Sequence, residues 1–196
     1  MSQKIVLATK SPYRIQAFKF LGINFIADGA EINEYFDGRP EDPKKLVQLL
    51  AKMKASAVAT KYKQGIVIGF DSVGLFEGEV LEKPKSRREA FLRLQKLSGK
   101  THYFYTGLYL KNLSNNKSIS NLVETKVQLR KISDDEINKY LDQDKNYTTY
   151  ALGYDPLEHY SSSFILSITG SYNNITRGMP LEKIIELLLK VGFKFN

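Results

Sequence analysis

The amino-acid sequence predicts a mixed fold of the α/β or α+β class with a mixed sheet, and three observations carry that expectation. Short apolar runs with strand character alternate with segments of helical periodicity. The middle of the chain, Thr101 to Arg130, is instead rich in β formers around a polar turn. The 196 residues contain no internal repeat, low-complexity tract or linker, which fits a single domain over 1–196, with or without two lobes.

Each element has a local reason. Ile5 to Thr9 is a short apolar run, the pattern of a buried strand. Ser11 and Pro12 follow as N-cap and first helical residue, Ile15, Phe18 and Leu21 recur at helical spacing, and Gly22 closes the helix. Asn24 to Ala27 reads as a second strand. Asp42-Pro43 opens a second helix with Leu46, Val47, Leu50 and Val58 on its apolar face. Gly65 to Gly69 is a strand ending at Phe70-Asp71, and Glu77-Gly78 marks a hairpin turn. Ser86 to Ser98 is amphipathic, with Ala90, Phe91, Leu94 and Leu97 inward. Thr101 to Leu110 and Leu122 to Arg130 form a long hairpin across Ser114-Asn115-Asn116-Lys117. Ser133 and Glu136 make a capping box for a helix through Leu141. Phe164 to Thr169 is a strand, 170–180 a Gly- and Asn-rich loop, and Pro180 to Val191 a final helix stopped by Gly192.

Composition removes several chemistries. The chain has no Cys, which excludes disulfides, thiolate metal sites and thiol catalysis. Its two histidines, His102 and His159, are too far apart for a helix-borne zinc pair, and neither has a partner visible in the sequence. A metal would therefore have oxygen ligands, which points to Mg²⁺ or Mn²⁺. No segment approaches the ~18 apolar residues of a membrane-spanning helix, and Ile5 to Ala8 is too short for a signal-peptide core. A cytoplasmic protein without a membrane partner is expected. The 29 Lys and Arg against 21 Asp and Glu give a net charge of +8, which suggests an anionic partner. Nucleic acid is the weaker choice, because the cations are dispersed with no dense basic run or RNA-binding signature. A phosphorylated small molecule is the stronger one.

Four segments offer side chains for such chemistry. Thr9 to Arg14 joins a strand to a helix N-terminus, with the Ser11 hydroxyl and cations at Lys10 and Arg14, an arrangement suited to phosphate. Taken alone it reads more readily as a capped helix with surface charges. Asp71 at the end of a buried strand, with Glu31 and Glu34 in a preceding loop, would suit a divalent cation and an activated water. Glu82-Lys83-Pro84 fixes the backbone beside a lysine, and in isolation is an exposed turn. Gly170 to Asn174, followed by Arg177 to Pro180, could wall a ligand site or simply connect two elements.

Taken in order, these blocks resemble the Maf family of nucleoside triphosphate pyrophosphatases, related in fold to the inosine triphosphate pyrophosphatases. The resemblance runs from about Ile5 to Gly192. It is carried by Leu7-Ala8-Thr9-Lys10-Ser11-Pro12-Tyr13-Arg14, the acidic loop ending at Glu34, Leu50 to Ala55, Ile68-Gly69-Phe70-Asp71-Ser72-Val73, Glu82-Lys83-Pro84, Leu97 to His102, Thr106-Gly107 and Gly178 to Leu181. It implies a two-lobed domain with a central twisted sheet flanked by helices, forming a homodimer. It also implies hydrolysis of a nucleoside triphosphate to a monophosphate and pyrophosphate with Mg²⁺ or Mn²⁺. By position, Ser11, Arg14, Lys54 and Lys83 would hold the triphosphate, with Lys54 and Lys83 in catalytic roles. Glu34 and Asp71 would hold the metal, and Asp71 would also help activate water. The family divides into a dTTP/UTP type and a type that prefers 7-methyl-GTP and some pyrimidine triphosphates. Tyr13 after Ser-Pro, Phe104 to Leu108, and Glu158 in Leu157-Glu158-His159 lean toward the second type, with Tyr13, Ser72 and Glu158 as substrate contacts. Ile15, Ser72 and Glu82 depart from the usual pattern, and Tyr147 to Tyr160 needs an insertion. Two alternatives follow: a catalytically weakened nucleotide-binding regulator, or a basic nucleic-acid-binding protein.

Overall fold

The computed structural model describes residues 3–195. Its first elements are β1 (Ile5–Ala8), α1 (Pro12–Lys19), β2 (Phe25–Ala27), α2 (Pro43–Ala59) and β3 (Ile66–Phe76). Then come β4 (Glu79–Leu81), α3 (Arg87–Leu97), β5 (Thr101–Asn112), β6 (Ser118–Leu129) and α4 (Asp134–Gln143). Two short 3₁₀ turns, Tyr147–Thr149 and Tyr160–Ser163, precede β7 (Ile165–Gly170), α5 (Tyr172–Arg177) and α6 (Leu181–Lys190). The strands form a seven-stranded mixed sheet in the order β2-β1-β3-β5-β6-β7, with β4 paired to β3. β1 is parallel to both β2 and β3, whereas β4 runs antiparallel to β3 and β7 antiparallel to β6. The expected mixed α/β class is what the chain adopts.

The chain divides into two compact units. The first holds the described residues up to Ser72, Thr106–Val123 and those from Arg177 onward; the second holds Val73–Tyr105 and Glu124–Thr176. β3, β5 and β6 each contribute residues to both.

In the first unit, the two-residue period of the strands sorts side chains onto two faces. Ile5 and Leu7 of β1 join Ile66, Ile68 and Phe70 of β3 in one cluster with Phe18 of α1 and Ile184 and Leu188 of α6. Val6, Ala8 and Val67 join Ala55 and Val58 of α2 in the other. Two glycines let α2 lie close on its face. A Cβ at Gly69 would collide with the Ala51 carbonyl oxygen, and one at Gly107 with that of Val47. All four apolar positions predicted for α2 are buried.

In the second unit, Leu94, Leu97, Ile137, Tyr140, Leu141, Tyr154 and Phe164 form the middle of a separate core. The turn between β3 and β4 puts Glu77 at φ 50° and Gly78 at φ 85°, the left-handed pair that a tight hairpin requires. The expected capping box opens α4: the Ser133 hydroxyl accepts from the Glu136 N–H, and the Glu136 carboxylate accepts from the Ser133 N–H.

Three expectations need correction. β3 does not end at Asp71 but continues to Phe76. Polar Asp71 and Ser72 read as a break, yet a strand tolerates them where side-chain partners are supplied. The 170–180 segment is not a simple loop, because α5 forms within it; the Ser171 hydroxyl accepts from the Asn174 N–H at its start. At α1, Leu21 lies beyond the helix and Ile15 is only half-buried, so of its predicted apolar positions Phe18 alone is a fully buried helical residue.

Candidate active site

The strand period that builds the first unit's core also builds its polar site. Val67, Gly69 and Asp71 are two residues apart on β3, so Asp71 emerges on the face that Gly69 opens to α2. On α2, Lys54 lies four residues after Leu50 and four before Val58, both fully or almost fully buried, so it projects from the helix's apolar stripe. The two side chains meet: Lys54 Nζ donates to Asp71 Oδ1 at 2.6 Å. The same Nζ lies 2.8 Å from Glu34 Oε1, which comes from the loop before α2. Asp71 is 8% exposed. Burial pushes its carboxyl above the ordinary aspartate range, opposed by the charge and hydrogen bond of Lys54 and the charge of Arg14; Glu34 adds to the rise.

Ser72, the next residue, points to the opposite face. There Arg14 Nη2 donates to Ser72 Oγ at 2.7 Å and Arg14 Nε to the Gly178 carbonyl at 3.0 Å. Ser72 Oγ and Thr106 Oγ1 share a hydrogen bond of 2.6 Å, and the guanidinium lies over the Phe70 ring. Burial lowers the Arg14 pKa from its usual value, while the Asp71 charge opposes that shift. Adjacent residues of one strand thus hold one cation on each side.

The structure brings Arg14, Glu34, Lys54, Asp71 and Ser72 together in the first unit through these contacts. Ser11, also in that unit, caps α1: its hydroxyl accepts from the Arg14 N–H at 3.5 Å. In that bond the oxygen only accepts, so it does not use the hydroxyl hydrogen. Tyr13 is half-buried in the first turn of α1. Lys83 and Glu158 belong to the second unit, and both are exposed. Lys83 stands in a tethered turn, because Arg93 Nη1 donates to the carbonyls of Glu82 and Ala151 and Nη2 to Glu89. Glu158 lies in the loop before the second 3₁₀ turn, where its carbonyl accepts from Ser161 Oγ at 3.0 Å.

Among the described residues, no three His, Cys, Asp or Glu side chains cluster to hold a metal ion. Glu34 and Asp71 are nonetheless two carboxylates sharing one cation, the Lys54 ammonium. Two carboxylates suit Mg²⁺ or Mn²⁺ when phosphate oxygens and water complete the coordination. The donor set therefore fits the expected metal.

Sequence reasoning missed three participants. The Gly178 carbonyl and the Thr106 hydroxyl fix Arg14 and Ser72, and Arg93 tethers the Lys83 turn. Thr106 and Gly178 stood within recognised blocks without an assigned task. Arg93 carried no signal, since it reads as an ordinary charge on an amphipathic helix.

A family model described as Maf-like protein matches residues 4–191. A dTTP/UTP pyrophosphatase of Thermoanaerobacter sp. (strain X514) is 36% identical over 186 residues, 94% of this chain and 95% of its own length. A dTTP/UTP pyrophosphatase of Pyrococcus abyssi (strain GE5 / Orsay) is 37% identical over 191 residues, 97% of each chain. Among solved structures, a HAM1 protein from Coxiella burnetii superposes with a TM-score of 0.52 at 15% identity, over 96% of this chain and 99% of that one. That last likeness concerns the fold.

Proposed function

The chain belongs to the Maf family, and from that premise we propose that it hydrolyses a pyrimidine nucleoside triphosphate, of the dTTP/UTP class, to a monophosphate and pyrophosphate. The observation that carries this reading is the Arg14–Ser72 and Lys54–Asp71–Glu34 arrangement on β3. It holds Lys54 against two carboxylates on one side of β3 and Arg14 against Ser72 on the other, which supports a site for a polyanion. The relatives' names favour the pyrimidine class over 7-methyl-GTP, toward which Tyr13 and Glu158 leaned.

In the reaction, water attacks the α-phosphorus and the bridging oxygen leaves with pyrophosphate. A triphosphate carries roughly four negative charges, and in-line attack requires that charge to be neutralised as the bond breaks. Arg14 and Lys54 supply fixed positive charge, with Lys83 as a third cation and Ser11 as a hydroxyl donor to phosphate. Asp71 takes a proton from the attacking water; burial raises its basicity toward that task. Glu34 and Asp71 would hold Mg²⁺ or Mn²⁺, which supplies charge neutralisation at the phosphates and lowers the pKa of water. We further propose a cytoplasmic homodimer. Among the described residues, no helix is long and apolar enough to cross a membrane.

The test is to incubate the protein with dTTP, UTP, CTP, 7-methyl-GTP and dITP plus Mg²⁺ or Mn²⁺ and to assay pyrophosphate. Release fastest from dTTP and UTP is expected; none from any triphosphate would refute the reading. Asp71→Asn should cut turnover by roughly 10²–10⁴-fold while equilibrium dialysis still detects bound nucleotide. Unchanged turnover would remove Asp71 from the mechanism.

A further inference from the structure

Lys54 occupies the ground between the two carboxylates that a metal would need. Its Nζ lies 2.6 Å from Asp71 Oδ1 and 2.8 Å from Glu34 Oε1, and its side chain is 17% exposed. Arg14, Lys54, Glu34 and Asp71 together carry no net charge. A bare divalent ion entering between Glu34 and Asp71 must break two short ion pairs and then share the space with the Lys54 ammonium. The displaced ammonium would be left without the anions that now satisfy it, and a partly buried charge stripped of its partners is costly. A triphosphate changes that balance. It brings oxygens that can accept Lys54 while the carboxylates turn to the metal. A lysine suits such an exchange, being a point charge on a flexible four-carbon stem.

From this geometry we propose that Lys54 is a built-in counter-ion that keeps the Glu34–Asp71 pair closed to free metal, so that metal and nucleotide enter together. The proposal rests on the pyrophosphatase reading for the identity of its ligands. It adds a binding order: the protein takes the metal–triphosphate complex and holds little metal without it.

The test is titration with Mn²⁺ in the absence of nucleotide, with free ion read by electron paramagnetic resonance. Wild-type protein should bind Mn²⁺ weakly. Lys54→Met leaves two facing carboxylates without their cation and should bind Mn²⁺ at least about tenfold more tightly, with a rise in melting temperature on adding Mn²⁺. Lys54→Gln, of similar length and still able to hydrogen-bond, should show the same gain and covers the case in which the methionine variant does not fold. Lys54→Arg keeps the charge and should remain as weak as wild type. Combining Lys54→Met with Glu34→Gln should abolish the gain, which ties the new ion to this pair. Neutral variants that bind no more tightly than wild type, or a double variant that keeps the gain, would overturn the proposal. These titrations use no turnover. A protein that releases no pyrophosphate yet shows the Mn²⁺ pattern would sink the pyrophosphatase reading alone, and the reverse pattern would sink the counter-ion role alone.

Discussion

His102 is fully buried in the second unit, where its Nε2 lies 3.2 Å from the Tyr154 hydroxyl and its Nδ1 has no hydrogen-bond partner. Burial lowers its pKa to about 4. The unfolded chain binds that proton near pH 6.5. Between these values the unfolded state holds more protons than the folded one, so stability rises with pH in this window and is lost as pH falls through it. The loss from this one residue should reach about 3 kcal/mol by pH 4. Glu136 and Glu186, each held near 2 first by a hydrogen bond, from Arg130 and from Lys183, act only in a lower window. Urea unfolding at pH 7 and pH 4.5 should therefore show a clearly smaller drop for His102→Gln than for wild type; equal drops would refute the assignment. Residues of the candidate site were unequally legible. Asp71 stood out as an acid directly after a buried run, whereas Lys54 entered only through the family resemblance, although it lies on the apolar stripe of α2. Glu34 could be read only as one of two loop acids beside Glu31, because what selects it is its contact with Lys54. His102 was read in the sequence without a partner, since Tyr154 is 52 residues away.

At the scale of elements, most of the order could be read from caps, turns and periodicity, all of which are local. α3, α4 and α6 begin and end within about two residues of their expected bounds, and α2 starts where Asp42-Pro43 predicts. What could not be read is non-local. The true length of β3 depends on Lys54, Arg14 and Thr106 reaching its polar residues. The short helix α5 depends partly on buried Asn174, whose amide donates to the Phe104 carbonyl and to Thr125 Oγ1. The glycines of β3 and β5 belong to the same class. Gly69 and Gly107 look permissive in sequence, but each is the place where α2 backbone meets sheet backbone. Backbone has little room to yield, so Gly69→Ala should lower stability by at least about 2 kcal/mol. It should also lower kcat, because pushing α2 outward separates Lys54 from Asp71. Calorimetry and pyrophosphate release would check both, and an alanine variant with native melting temperature and kcat would show that this close approach is not needed. Serine at Gly74, which is in the other unit and meets chiefly side-chain atoms of Leu152 and Leu81, should leave the Lys54–Asp71 pair and hence kcat closer to wild type.

For the whole molecule, the opening charge of +8 is distributed unevenly. The first unit has 17 Lys and Arg against nine Asp and Glu, and the second has 12 of each. All of the excess therefore lies in the unit that holds Ser11, Arg14, Glu34, Lys54 and Asp71. Within that site the paired charges cancel, so the surplus sits on side chains outside it, among them the exposed Lys45 and Lys52 of α2. Charges so placed gain little from individual contacts, but their summed field raises the encounter rate of a polyanion. This gives the dispersed lysines a task that neither the phosphate contacts nor a nucleic-acid surface had supplied. Fields of exposed charges are screened within about 10 Å at 0.1 M salt. Raising ionic strength should therefore lower kcat/KM several-fold while kcat changes little, since the paired, partly buried groups are less screened. Lys45→Glu with Lys52→Glu should lower kcat/KM at low salt and flatten its salt dependence. Reversing the exposed Lys126 and Lys131 of the neutral unit should do so less. Steady-state kinetics across a salt series would decide it: a kcat/KM indifferent to salt, or equally sensitive to both pairs of reversals, would rule out steering by the first unit.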